Sequence, residues 1–281
     1  MSSQAVSFHG PSALNPQEQI NLLRKRGLIL PNPERTLHYL QFIGYYRLSG
    51  YFPPFLDASG KFQKNTSFDQ ILNCYIFDRK LRLLIMDAVE RIEIALRTTI
   101  SNILCEHYDA HWYLNAELFV RHYNHQQLIS IIREKTSAHP PAWEIAEELS
   151  FGVWSNIFRH LRSRELQKEI CTPYNIHYNV MKSWLHSFTY LRNLCAHHSR
   201  LWNRTFTVRP KVLKKYRKHF SNNYKLYAQA AVLNVFLNVI ADGSGWQQRL
   251  SDLFDKNKEI SLHDMGFHPG WSSDPFWGIH Q

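Results

Sequence analysis

The alternation of apolar and polar positions follows a helical period along most of the chain. Asn15-Pro16 opens an amphipathic stretch that runs to Arg26 and closes at Gly27. Asn32-Pro33 repeats the device for a second helix ending near Gly44. Ser67 is placed to cap a long pattern from Phe68 to about Tyr108. Leu84, Ile85, Ala88, Ile92, Leu96 and Ile100 share its inward face. At ~1.5 Å per residue this element would reach about 60 Å, a length that allows for a kink or break. Beyond Pro140-Pro141, residues 142–149 and 151–161 predict two short helices. Pro173 and Asn175 mark a loop before the next long pattern. Residues 222–241 are apolar nearly all round, which predicts a central helix or a dimer face, and residues 246–254 predict a last helix. The expectation is an all-α fold, a single helical domain over residues 15–281 after a loose lead at 1–14.

The pattern from about Asn179 to Arg204 carries two stripes. Trp184, Phe188, Leu191, Cys195 and Trp202 form an apolar one. His186, Tyr190, Asn193, His197, Arg200 and Arg204 recur at steps of three or four and form a polar one. An ordinary wet face carries Glu and Lys; this one carries residues that move protons and bind phosphate. Asn193 and His197 are four apart and share a face. Arg192 lies five before His197, so on a straight helix it points roughly 140° away. His198 falls where the apolar stripe passes, which predicts a structural role.

Composition adds a polyanionic partner. The 281 residues carry a formal charge of +10, and 44% are hydrophobic, enough for a packed core. Seven cations crowd residues 204–220: Arg204, Arg209, Lys211, Lys214, Lys215, Arg217 and Lys218. They suit an RNA backbone or a solvated loop. The segment 43–55, dense in Tyr, Phe and Pro around Arg47, suits either stacking on unpaired bases or packing a helix pair. His107 and His111 have the spacing of a helical metal pair, but no carboxylate set accompanies them, so no metal and no cofactor is expected. Cys74, Cys105, Cys171 and Cys195 are far apart, as reduced thiols of a cytoplasmic protein would be. No secretory leader or membrane span is expected, since the apolar run at 228–241 is short and broken by Gln229, Asn234 and Asn238.

The block RNLCAHHSRLWNR, residues 192–204, resembles the signature of the Abi-like (abortive-infection) proteins of the HEPN superfamily. The segment IGYYRLSGYFPPF and the tail MGFHPGWSSDPFW extend the resemblance, from about Ile20 to Trp277. It implies a HEPN-like helical bundle core with peripheral helices. It implies Arg192 and His197 as a catalytic pair, with Asn193 as their polar neighbour. It further implies a metal-independent endoribonuclease acting in phage defence or as a toxin, a homodimer with a composite site, and a regulatory small RNA in some relatives.

Residue chemistry fits that implication. RNA brings its own nucleophile, the 2′-hydroxyl. Cleavage needs a base, an acid and a cation on the phosphate. His197 can carry the proton and Arg192 can hold the phosphate. Glu90, Glu93 and His198 are supporting candidates. Arg47, Arg200, Arg204, Arg209, Lys211, Lys214 and Lys215 are the RNA-binding candidates. The rival reading is a non-catalytic RNA-binding or interaction protein in which Arg192 and His197 are structural.

Overall fold

The structure is a computed structural model that describes residues 14–136, 139–220 and 222–279. The loose lead expected at residues 1–14 therefore lies outside the described residues, Leu14 apart. Among the described residues there are helices and isolated β-bridges but no strand, so the fold is all-α. None of those helices is long and apolar enough to cross a membrane. The chain falls into two compact units, Met1–Asp78 and Arg79–Gln281.

The first unit contains α1 (Pro16–Lys25), α2 (Pro33–Phe42), α3 (Tyr45–Ser49) and the start of α4 (Phe68–His107). Asn15 and Glu18 form a reciprocal capping box at α1, and Asn32 caps α2, as their sequence signals predict. Ser67 and Gln70 exchange bonds in the same way at the start of α4. The aromatic segment divides. Tyr51 and Phe52 are buried, and the Tyr51 hydroxyl donates to Asp78 at 2.6 Å. Tyr46 and Phe42 stay outside, 92% and 77% exposed. The packing role thus holds for part of the segment and leaves Tyr46 on the surface, near Phe42 at the end of α2.

The second unit holds the rest of α4, then α5 (His125–Lys135), α6 (Ala142–Glu148), α7 (Phe151–His160), α8 (Arg164–Cys171), α9 (Tyr178–Ala196), α10 (Leu226–Ile240) and α11 (Trp246–Asp255). The alternatives for the apolar run resolve to a central helix. Every residue of α10 from Leu226 to Leu237 is buried, and Phe236 packs against Trp184 and Phe188 of α9 with ring centroids 6.0 and 5.0 Å apart. Of the polar residues in this run, the buried Gln229 and Asn234 are paired. Gln229 accepts from the Ser187 hydroxyl and donates to the Val208 carbonyl, and Asn234 donates to the Phe276 carbonyl. The 40-residue helix α4 runs from Phe68 to His107 as one element, without the break its length allowed for. α7 and α8 pack along α9.

Candidate active site

The motif block is built on the end of α9. That helix buries Trp184, Leu185, Phe188 and Leu191 completely, as the apolar stripe requires. It stops at Ala196, with His197 as its cap. The sequence there offers neither Gly nor Pro. The stop is made by His198, whose φ of 55° lies in the left-handed region. The Ser199 N–H then donates to the Leu194 carbonyl at 2.8 Å, and the His198 N–H to the Cys195 carbonyl at 3.0 Å. This pair of bonds is a Schellman motif, whose left-handed position glycine usually fills.

Two expectations change as a result. The polar stripe does not continue helically to Arg204, because the helix ends eight residues earlier. His198 is not on the apolar stripe; it is exposed. The pairing of Asn193 and His197 survives, since the His197 N–H closes the last helical bond onto the Asn193 carbonyl at 3.0 Å. Asn193 and His197 are both exposed. Arg192 is half-buried, and its Nε is buried without a hydrogen-bond partner. Arg204 Nε and Asn203 Oδ1 are in the same position. Such orphaned groups are uncommon in folded proteins and gather here within one short block.

Arg204 returns to α9 through the turn. Its guanidinium donates to the Arg200 carbonyl at 3.2 Å and to the Tyr190 hydroxyl at 3.4 Å. The Thr207 hydroxyl also donates to Tyr190, at 3.2 Å. Burial would push the Tyr190 phenol up. The bonds from Thr207 and Arg204, with the Arg204 charge, outweigh it and hold the phenol below the usual tyrosine range. Tyr190 was visible in the polar stripe, but nothing in the sequence joined it to Thr207.

Beyond Arg204 the basic segment runs back along α9 as a strap. The Lys211 N–H donates to Ser183 at 2.9 Å, and its carbonyl accepts from Trp184 Nε1 at 2.8 Å. Arg209, Lys211, Lys214 and Lys215 are exposed on the strap and the turns after it, and Arg200 is half-buried. Arg209 lies over the Tyr224 ring at 5.5 Å, and Lys215 over Tyr216 at 4.9 Å. Lys218 pairs with Asp274 at 2.9 Å, which partly neutralises it.

A further cationic face was not foreseen. Burial, together with the charges of Arg164 and Arg159, pushes Lys182 down. Burial and Arg159 likewise push His186 down. These residues lie on α7, α8 and α9, upstream of the motif, at positions that one helix's periodicity cannot bring together.

The remaining candidates lie elsewhere. Glu93 pairs with Arg97 at 2.7 Å, and Arg97 donates to the Ala146 and Glu147 carbonyls at the end of α6. This ties Glu93, through Arg97, to the contact between α4 and the end of α6. Glu90 is exposed on α4. Arg47 is exposed on α3, in the first unit. His107 is the last residue of α4 and meets Glu169 at 2.8 Å, so it does not share a helix with His111. Among the described residues no group of three or more His, Cys, Asp or Glu side chains could hold a metal ion.

A family model described as "Abi-like protein" matches residues 38–203, more than half of the 281-residue chain. The chain belongs to the Abi-like family. The matched region spans the aromatic segment and the whole of α9, and it ends one residue before Arg204. The similarity is thus narrower than the expected span of Ile20 to Trp277, and the strap and the aromatic tail of this Abi-like protein fall outside it. Among curated proteins and among solved structures, nothing matches the chain. Membership of the family suggests a part in abortive infection, a defence against phage.

Proposed function

We propose that this Abi-like protein is a metal-independent HEPN endoribonuclease that acts in phage defence or as a toxin. The observation that carries the reading is the end of α9. There exposed His197 and Asn193 adjoin a half-buried arginine with an orphaned N–H, beside a strap of exposed cations. A structural imidazole would be buried with partners. His197 is instead presented to solvent at a helix end held by a residue in a strained conformation.

In the proposed reaction the 2′-oxygen of one ribose attacks the adjacent phosphorus, and its proton passes to an imidazole. The P–O5′ bond breaks, and the leaving 5′-oxygen takes a proton from a second imidazole. The products are a 2′,3′-cyclic phosphate and a 5′-hydroxyl. Arg192 holds the phosphate oxygens as charge builds on them, and Asn193 hydrogen-bonds the same group. His197 from each of two copies facing across a two-fold axis supplies the base and the acid. A buried N–H without an acceptor costs about 1–3 kcal/mol. A phosphate that draws Arg192 outward relieves that cost and so favours RNA in the site. The strap cations hold the RNA backbone on either side.

The test is expression in a bacterial host. Wild type is expected to arrest growth and to leave cellular RNA with cyclic-phosphate ends, whereas soluble, folded His197→Ala is expected to do neither. Arrest by the His197→Ala protein at the wild-type level would exclude His197 chemistry and favour a binding protein.

A further inference from the structure

We propose that the cavity between α5 and α7 is a nucleobase pocket that holds one unpaired base of the RNA cleaved at the end of α9. The proposal rests on the ribonuclease reading and names a subsite for its substrate. The cavity measures about 430 Å³, in the lower half of the ~300–1,000 Å³ range of small-ligand sites. His122, Tyr123, Gln127, Ser150, Asn156 and His160 give it rings and neutral polar groups, with Leu128, Ile131 and Val153 as its aliphatic part. No carboxylate lines it, so nothing there repels a polyanion.

The rings form a platform. Tyr123 stacks on Phe119, with centroids 4.7 Å apart and planes 26° apart. His160 stacks on Tyr123 at 5.0 Å and 27°, and His122 meets His160 edge-on at 5.5 Å. A planar base entering the cavity extends this stack, as unpaired bases do on aromatic side chains. His160 Nδ1 donates to the Asn156 carbonyl at 2.8 Å, so Nε2 is the acceptor of the neutral ring. Amides of Asn156 and Gln127 offer the donor and acceptor pairs that read base edges. A simple anion has no use for a ring stack; a base uses both the stack and the amides.

The cavity also borders α9. Gly152 lines it, and a Cβ placed on Gly152 would touch Thr189 Cγ2 of α9 at 3.6 Å. Thr189 precedes His197 by eight residues, ~12 Å along the helix axis. Arg159, next to His160 on α7, acts electrostatically on His186 and Lys182 of α9. A strand with one base in the cavity thus has Arg159 and Lys182 nearby for a phosphate.

The experiment is calorimetric titration of the full chain with each of the four ribonucleoside 5′-monophosphates, and with ribose 5-phosphate as a probe lacking the base. At least one nucleotide is expected to bind and ribose 5-phosphate is not. His160→Ala and Asn156→Leu are each expected to weaken binding by roughly ten-fold or more. The two pocket variants are also expected to shift the base preference at RNA cleavage sites. Equal binding of ribose 5-phosphate, or nucleotide binding indifferent to both pocket variants, would overturn the pocket. RNA cleavage with no nucleotide bound and an unshifted site preference would overturn the pocket and leave the ribonuclease reading standing. Nucleotide binding sensitive to the pocket variants, with no RNA cleaved, would overturn the ribonuclease reading and leave a base pocket.

Discussion

Replacing His198 with Gly and, separately, with Ala isolates the backbone that ends α9. Both substitutions remove the imidazole, so their difference reports only the left-handed φ of 55°. That conformation costs a residue with a Cβ ~1–2 kcal/mol. Glycine adopts it freely but gives up ~0.4–1 kcal/mol of extra unfolded-chain entropy. The net expectation is that His198→Gly is more stable than His198→Ala by about 1 kcal/mol. In urea this appears as a higher midpoint at an unchanged slope. In a melt it appears as a rise of about 2–4 °C for a unit of this size. The two bonds of the motif, from His198 and Ser199 to Cys195 and Leu194, predict protected amides at both positions in each variant. Equal stability of Gly and Ala would mean that position 198 is not left-handed. The helix would then continue through the motif, and the geometry assigned to His197 would be wrong.

Other expectations follow from neighbouring contacts. Gln229→Leu should cost about 2–4 kcal/mol in urea unfolding, because it strands the buried Ser187 hydroxyl and the Val208 carbonyl that now bond to Gln229. Tyr190 should ionise below the usual tyrosine range in an ultraviolet titration, and Arg204→Ala should move that transition up. Its folded-state value is lowered, so ionising Tyr190 adds stability as pH rises through that lowered value, an increment absent from Tyr190→Phe. Tyr123, pushed up to about 12 by burial, should ionise last and be unaffected by either change. Gly266→Ala should destabilise by about 2 kcal/mol or more in a thermal melt, because φ is +88° and the new Cβ would lie 2.8 Å from Lys225 Cβ.

The helices with strong punctuation were legible in the sequence. Asn15-Pro16 and Asn32-Pro33 are local signals, and local hydrogen bonds realise them. α5 and α8 were not anticipated. Each is a short amphipathic helix of two or three turns capped by a single Asn124 or Ser163, without a Pro or Gly to mark it. The division after Asp78 has no sequence signal because it falls inside the continuous helix α4. The candidate residues could be named from the sequence, but not the shape that holds them. Periodicity ran straight through His197 and His198, since nothing in HHSR announces a left-handed stop. That stop frees His198 from the apolar face and turns Arg204 back onto Tyr190. The strap and the cavity depend on pairings between distant segments, such as Lys211 with Ser183, which no single window of sequence contains.

The central claim is that the end of α9 cleaves RNA without a metal. Its most direct test is incubation of purified protein with total RNA in EDTA, beside Arg192→Ala and His197→Ala proteins of matched fold. The account predicts cleavage by wild type alone, with 2′,3′-cyclic phosphate and 5′-hydroxyl ends. Equal cleavage by all three proteins, or cleavage that EDTA abolishes, would contradict it.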